Sequence, residues 1–520
     1  MYIFHSKLRY DSTFFITSIR WLSMFLILVS ACVLLACWAR WFARRRLIAM
    51  ADQLPGPPAL PLLGNALMIM NSSGIFTVFD NLKRKYGRAF RFWLGPDLNY
   101  VISEPDYVKT LLQSKKLNER GPSYKYMVDF LGYGILSGSG PIWRQRRKLI
   151  SSNYTITATK NYSNAFNDET GHLLGTLRSR PAGKSFDVYD EVVKTTTYAV
   201  CRTLFGLNRE QTLSLPYLQE IMDDTHQMYA DTFMRMTTWY LQIEPYYWFS
   251  PYYSKNKRFI QKINGMADAV VKYRLKNLKD TNFVEINESK TDLSDNEGLS
   301  TVDKIILERP ANYDEMLKQI FTVFTTGQEP PANIGSFILL MMAYHPECQE
   351  KLYKEIKEVM GDEDRPVTDE DIKRMPYLDM VFKEVIRLFP IGPMMQRTVI
   401  EDIDIGDGIT LPAGSCLTVL FFHMHRDKDF WENPDVFDPE RFSPERSASR
   451  HPYCYVPFSL GSMDCLGRHF GTKLVKTICI RVLREFRLTS PETYTDLKLL
   501  CAVSVEPVNG YPVFLNPRLN

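Results

Sequence analysis

In PFSLGSMDCLGRHF, Pro457 to Phe470, Cys465 stands between Gly461 and Gly467, and a helical apolar pattern runs on to about Leu488. A thiolate in that position is stabilised by the unpaired N–H groups and dipole of a helix start. The two glycines would let backbone pack closely against a flat ligand, although a buried structural cysteine beside glycines has the same local pattern. With the others, at 32, 37, 201, 348, 416, 454, 479 and 501, the cysteines number nine, an odd total, scattered and without a C-x-x-C pair. That usage fits a reducing compartment and excludes the usual zinc spacings.

The elements that must position Cys465 belong to a long chain. Its 520 residues carry a net charge of +4, too mild to argue for nucleic acid. Residues 21–39, WLSMFLILVSACVLLACWA, hold no charge and are about long enough to cross a bilayer. Arg40, Arg44, Arg45 and Arg46 follow, so the positive-inside rule places residues 1–20 in the lumen and the rest of the chain in the cytosol. Residues 40–65 read as a basic stalk and a stiff hinge, LPGPPALPLLGN, whose prolines forbid a helix interior. Residues 66–520 read as one catalytic domain: mainly α, with a smaller β portion near its N-terminal end that includes a hairpin around Pro96 and Asp97. Helices are expected at Tyr344–Met360 and Asp371–Phe389, and a polar surface loop from Asp280 to Asp303.

Several segments recur in the order of a known family. Pro457, Phe458, Ser459, Gly461, Cys465 and Gly467 resemble the F-x-x-G-x-R-x-C-x-G signature of the cytochrome P-450 superfamily. Glu384 and Arg387 in FKEVIRLFP match its E-x-x-R helix, and Arg441 in PERF its later arginine motif. Trp143 and Arg147 in WRQRRK match its W-x-x-x-R helix, and LPGPPALPLLGN its hinge. DFLGYGILSGSGPIWRQRRKL and RLFPIGPMMQR look closest to the family 4 and insect-like microsomal branch.

The resemblance implies the P-450 fold with one N-terminal transmembrane helix, and non-covalent haem b with Cys465 as axial ligand of the iron. It implies that Trp143, Arg147 and Arg397 hold the haem propionates, that Phe458, Gly461 and Gly467 shape the cofactor site, and that Glu384, Arg387 and Arg441 form a structural charge cluster. Arg144, Arg146, Lys148, Arg468, Lys473 and Lys476 would form a basic face for an NADPH-dependent reductase or cytochrome b5. The Met-rich and aromatic-rich stretch Leu215–Tyr253, with Gly121–Gly140, corresponds to the family's substrate-facing regions and implies a lipophilic substrate reached from the membrane of the endoplasmic reticulum.

The sequence departs from the family at two sites. Where the oxygen-binding helix usually carries two hydroxyl residues after its acid, Gly327 and Glu329 are followed by Pro330 and Pro331. Proline costs about 3 kcal/mol in a helix interior, so a break is expected near Gln328. Glu329 with water is left as the proton donor, or as a cap for the restarted helix. Thr326 occupies the position of the glutamate that esterifies haem in several family 4 enzymes, so no covalent link is expected. In the signature, Met463 replaces an arginine and Asp464 adds a negative charge beside the ligand, so weaker haem retention is expected. A monooxygenase leads the readings, ahead of a haem-thiolate isomerase or dehydratase that needs no dioxygen and a weakly catalytic protein that sequesters hydrophobic ligands. The cytosolic topology predicts that glycosidase treatment leaves gel mobility unchanged despite sequons at Asn71, Asn153, Asn161 and Asn287.

Overall fold

A computed structural model describes residues 21–518, apart from 22, 33, 36, 37, 40, 41, 43, 71–73, 281–297 and 309–311. The chain divides into two units, Met1–Leu54 and Pro55–Asn520. In the first unit, Trp21 and residues 23–32 are helical, and their large apolar side chains are exposed. Among the described residues no helix is long and apolar enough to cross a membrane. The expected lumenal segment 1–20 and parts of the expected anchor lie outside the described residues, as do the sequons at Asn71 and Asn287.

The second unit is mostly helical. The helices that bear on the site are α1 (Gly140–Ser151), α2 (Ser163–Arg178), α3 (Tyr189–Thr203), α4 (Leu218–Thr237), α5 (Pro251–Asp280), α6 (Thr301–Leu307), α7 (Tyr313–Tyr344), α8 (Pro346–Met360), α9 (Pro376–Leu388) and α10 (Arg468–Glu485). Helices α1, α8 and α9 carry proline in their first turn, where the missing N–H has no intrahelical partner anyway. Helix α7 is apolar on every side and buried along most of its length, the pattern of a helix at the centre of a large core.

Three sequence expectations are corrected here. Helix α7 does not break: it stays helical through Pro330 and Pro331. The prolines remove the donors for the Thr326 and Gly327 carbonyls, but enclosure holds the backbone, and Thr196 of α3 donates its hydroxyl to Gln328 O at 2.9 Å. The helix expected over Asp371–Phe389 is two, Asp369–Lys373 and α9, because Pro376 opens the second. The polar loop expected to Asp303 ends earlier, and residues 281–297 of it lie outside the described residues. Ser300 caps α6 in a capping box with Asp303, which is buried and paired with Arg274 at 2.7 Å.

The β structure is not confined to the N-terminal end either. Strands β1 (Ala89–Leu94) and β2 (Asp97–Ile102) form the expected hairpin. They join β3 (Glu119–Arg120), β5 (Met395–Thr398) and β8 (Cys416–Val419) in one sheet of order β1-β2-β8-β5-β3, in which β5 and β8 come from a segment nearly 300 residues downstream of β2. The remaining strands are β4 (Phe186–Asp187), β6 (Ile403–Gly406), β7 (Ile409–Leu411), β9 (Phe486–Thr489), β10 (Leu499–Cys501), β11 (Val505–Pro507) and β12 (Pro512–Pro517). Of these, β10 and β11 make a C-terminal hairpin that reaches α7, where Asn333 Nδ2 donates to Val505 O at 3.2 Å. The proline-rich run is fastened along β1: Arg91 N donates to Pro55 O at 2.8 Å, and Asn65 bonds both Pro58 O and Trp93 N.

The loop that leads into α10 is pinned by Gly461. Its φ is +76°, and a Cβ there would fall 2.1 Å from Leu112 O, so only glycine lets this loop lie against the helix Pro105–Gln113. Gly461→Ala is expected to lower stability by about 2 kcal/mol or more, read as a fall in the urea midpoint at unchanged slope.

Candidate functional site

A cavity of about 480 Å³ lies against α7, lined mostly by apolar side chains. On one side, residues 457–459 and 463–467 form its wall, with Cys465 three residues ahead of α10. The Cys465 amide donates to Phe458 O at 2.9 Å, which closes the loop and turns the thiol toward the cavity. The thiol is accessible from the cavity, yet the protein packed around it desolvates it. Burial pushes it up, the Gly467 N–H pulls it down, Asp464 pushes it up, and the Arg468 and Arg147 guanidinium groups pull it down. A thiolate there therefore needs a cationic partner in the cavity. Of the two glycines, only Gly467 leaves room on that side: a Cβ on it would meet nothing nearer than the Cys465 sulfur at 4.0 Å. Gly461 serves the contact with Leu112 instead.

The opposite sign of charge gathers at the sheet edge. Arg120 of β3 and Arg397 of β5 are directly paired across the strands, where like charges repel. Arg397 is 3% exposed, and burial, with Arg120 beside it, pulls its guanidinium down to about 9. Arg120 is also pulled down by burial, and its Nε is buried without a partner. Between them, Tyr124 is drawn down by both arginines although burial opposes this. Neither arginine has a carboxylate partner among the described residues. Arg147 also lines the cavity, but Asp464 already engages it, through its carbonyl at 2.8 Å and through its carboxylate. Two cations without a carboxylate partner on an apolar cavity, one of them buried, fit a flat apolar ligand that carries its own carboxylates, and the thiol on the same cavity fits a ligand to its metal. These are the properties of haem.

Trp143 is buried, with its ring centroid 5.7 Å from the Arg147 guanidinium carbon, and is not among the cavity-lining residues. Met463 does line the cavity. Thr326 lines it too, with its hydroxyl donated to Thr322 O at 2.6 Å.

Glu384, Arg387 and Arg441 come together beneath α9. Arg387 donates to both Glu384 oxygens at 2.7 and 2.8 Å, and Arg441 Nε to Glu384 Oε1 at 3.1 Å. The remaining guanidinium donors reach the carbonyls of His425, Pro434, Glu432 and Val436. No polar atom of the carboxylate is left to solvent, since Glu384 and Arg387 are each 0% exposed.

Gly327 and Glu329 both line the cavity from α7. A Cβ on Gly327 would come within 2.9 Å of Val200 on α3, so this glycine sets the approach of two helices. Glu329 is buried, and burial pushes its carboxyl up to about 7, with His226 pulling down and Glu506 pushing up. Ser504 Oγ lies 2.9 Å from Glu329 Oε1.

The expected basic face is only partly a surface. Arg144 and Lys148 are exposed and Arg468 is 44% exposed, but Lys473 is buried against Thr159 O and Ser163, Lys476 is buried against Asp379, and Arg146 pairs with Glu315 at 2.6 Å. In the expected substrate region, Met222 and Met228 are core residues, whereas Phe233 and Met236 line the cavity. Tyr246, Trp248 and Phe249 are exposed. Arg120, Ser504, Glu506 and His226 escaped the sequence reading, because each acquires its role only through a partner more than a hundred residues away.

Comparison with known proteins agrees with this geometry. The Cytochrome P450 family model matches residues 54–511. The chain is 28% identical to Cytochrome P450 4g1 of Drosophila melanogaster over 95% of its own length and 94% of that protein. It is 27% identical to Cytochrome P450 4V2 of Mus musculus, over 95% and 94%, and 26% identical to Cytochrome P450 4c3 of Drosophila melanogaster, over 91% of each. With a thiol and two arginines that lack a carboxylate partner on one apolar cavity, the chain belongs to the cytochrome P450 superfamily, in its family 4 branch, and is a haem-thiolate monooxygenase.

Proposed function

We propose that the protein is held in the endoplasmic reticulum membrane by residues 21–39, with its catalytic body in the cytosol, and inserts one atom of dioxygen into a lipophilic small molecule. Electrons come from NADPH through a reductase, with cytochrome b5 as a second donor. The observation that carries the reading is that the Cys465 thiol and the arginines Arg120 and Arg397 line one cavity. The uncharged run at 21–39, the arginines after it, and the exposed Tyr246, Trp248 and Phe249 support a membrane surface as the source of substrate. The exposed Arg144, Lys148 and Arg468 support an acidic electron donor at that face.

Haem bound here supplies an iron centre whose thiolate ligand favours O–O cleavage. Cys465 would be its ligand, and Arg120, Arg397 and, in part, Arg147 would hold its carboxylates. Glu384 holds Arg387 and Arg441 in one buried cluster. The apolar lining from Phe233, Met236, Ile334 and Val503 excludes water and receives the substrate. Glu329 presents a carboxyl that carries a proton near neutral pH.

Four outcomes are expected. The reduced protein with carbon monoxide gives a thiolate-type spectrum, which Cys465→Ser abolishes. NADPH consumption with added reductase then yields hydroxylated product from at least one lipophile, and electrons diverted wholly to peroxide for every lipophile tried would reject the reading. Arg397→Ala separates the cofactor role from a structural one: haem transfer to an acceptor globin becomes roughly tenfold faster, while the haem-free protein, relieved of a buried like-charge pair, melts no lower. Pro330→Thr, which returns a hydroxyl to α7, raises product formed per NADPH.

A further inference from the structure

The acid of α7 does not stand alone. Ser504 Oγ lies 2.9 Å from Glu329 Oε1 and 3.1 Å from Glu506 Oε1, and Glu506 Oε2 lies 3.0 Å from His226 Nδ1. These residues come from α7, from the β10–β11 hairpin and from α4, and they bridge the cavity to the outside. Glu329 lines the cavity, Ser504 is 1% exposed, and Glu506 and His226 keep 12% and 26% side-chain exposure without lining the cavity. A serine hydroxyl has one hydrogen and here faces two carboxylates. It can donate to only one of them, so the other must carry a proton and donate back to Oγ.

We propose that Glu506, Ser504 and Glu329 form a proton-conducting chain from solvent to the cavity, with Ser504 taking over the hydroxyl role that Pro330 and Pro331 have removed from α7, and His226 as the positioning residue that holds Glu506. The inference deepens the monooxygenase reading and rests on it. In one turnover, dioxygen gives one oxygen atom to the product and the other to water, with two electrons from the reduced flavoprotein donor and two protons. Each proton leaves the Glu329 carboxyl toward the reacting oxygen. Glu506 takes a proton from water and passes it to Ser504 Oγ as that hydroxyl gives its own to Glu329, so each group ends as it began.

The surroundings set the direction of the chain. Facing Glu329 and Glu506 are His226 and Tyr229 of α4, Tyr189 of α3, Asp187 of β4 and Tyr511 before β12, and among the described residues no lysine or arginine pairs with either carboxyl. With negative charges and phenols around it, the buried acid is the member that keeps its proton, up to a pH of about 7. Burial works against a charge on His226, but its bond to Glu506 raises it. His226, Glu329 and Glu506 also sit close enough to hold a metal ion, with ligand atoms within 4.8 Å of one another. The 3.0 Å contact between Nδ1 and Oε2 places a proton between those two atoms, where a metal would need both lone pairs.

The test uses the haem-loaded full chain. Infrared spectra titrated between acid and alkaline pH should show a protonated-carboxyl stretch lost near pH 7, absent in Glu329→Gln and shifted in Ser504→Ala. Ser504→Ala should lower product per NADPH by about tenfold, with peroxide taking up the difference and KM unmoved, and Ser504→Thr should restore coupling to within about twofold of wild type. No protonated carboxyl at neutral pH, or wild-type coupling in Ser504→Ala, overturns the chain. So does one equivalent of zinc taken up in equilibrium dialysis by wild type and not by His226→Ala. If no lipophile gives product, the substrate reading fails separately, and the infrared titration alone decides the proton chain.

Discussion

The Glu384 carboxylate, buried and 0% exposed, holds together segments that are remote in sequence. It takes two bonds from Arg387, one from Arg441 and one from the Asp438 amide at 2.9 Å. Arg387 in turn donates to the carbonyl of His425, and His425, kept neutral by burial and by Arg387, accepts the Val456 amide at Nε2. Val456 opens the loop that carries Cys465. The placement of the thiol therefore traces back, through four groups, to one carboxylate. Stranding two buried guanidinium groups costs several kcal/mol, so the cluster tolerates loss of its centre far less than an exposed i,i+3 pair would.

Across the cavity the same physics runs without a protein counter-charge. Arg120 and Arg397 face each other over paired strands at the cost of mutual repulsion and burial. A folded chain keeps such an arrangement when something outside the chain neutralises it, and the carboxylates of the cofactor are of the right sign and kind. Arg120 also bears on the replacement of the signature arginine by Met463. The expectation of weaker retention assumed that Arg147 and Arg397 would share the task, whereas Arg147 is held by Asp464 and a third arginine stands beside Arg397.

The Glu384 cluster and the Cys465 loop were legible in the sequence because their residues sit in fixed short spacings: Glu384 with Arg387, and Cys465 between two glycines. The hairpin at Ala89–Ile102 was legible from its alternating aromatic and branched residues around Gly95 and Pro96. What was not legible depends on contacts between distant segments. Arg120 sits in a two-residue strand with no pattern of its own. Helix α7 keeps its form through two prolines because packing outweighs propensity, and a single sequence carries the propensity but not the packing. Lys473 and Lys476 read as surface charges because lysine usually is one, yet α2 and α9 supply their partners, Ser163 and Asp379.

The two prolines and the polar group beyond them are parts of one local solution. Proline at 330 and 331 leaves the α7 backbone with fewer internal donors and no hydroxyl beside the acid. The backbone is supported from outside by Thr196 on the α3 side, and on the other side the Asn333 side chain of α7 donates to Val505 O. That second contact brings the β10–β11 hairpin against α7 at the height of Glu329, which is where Ser504 and Glu506 arrive. The hydroxyl beside the acid is thus carried by a strand hairpin rather than by the helix itself. Its position depends on the hairpin's register, Cys501 opposite Val505, so the acid's polar partner is set by tertiary packing of the C-terminal segment and not by the local sequence of α7.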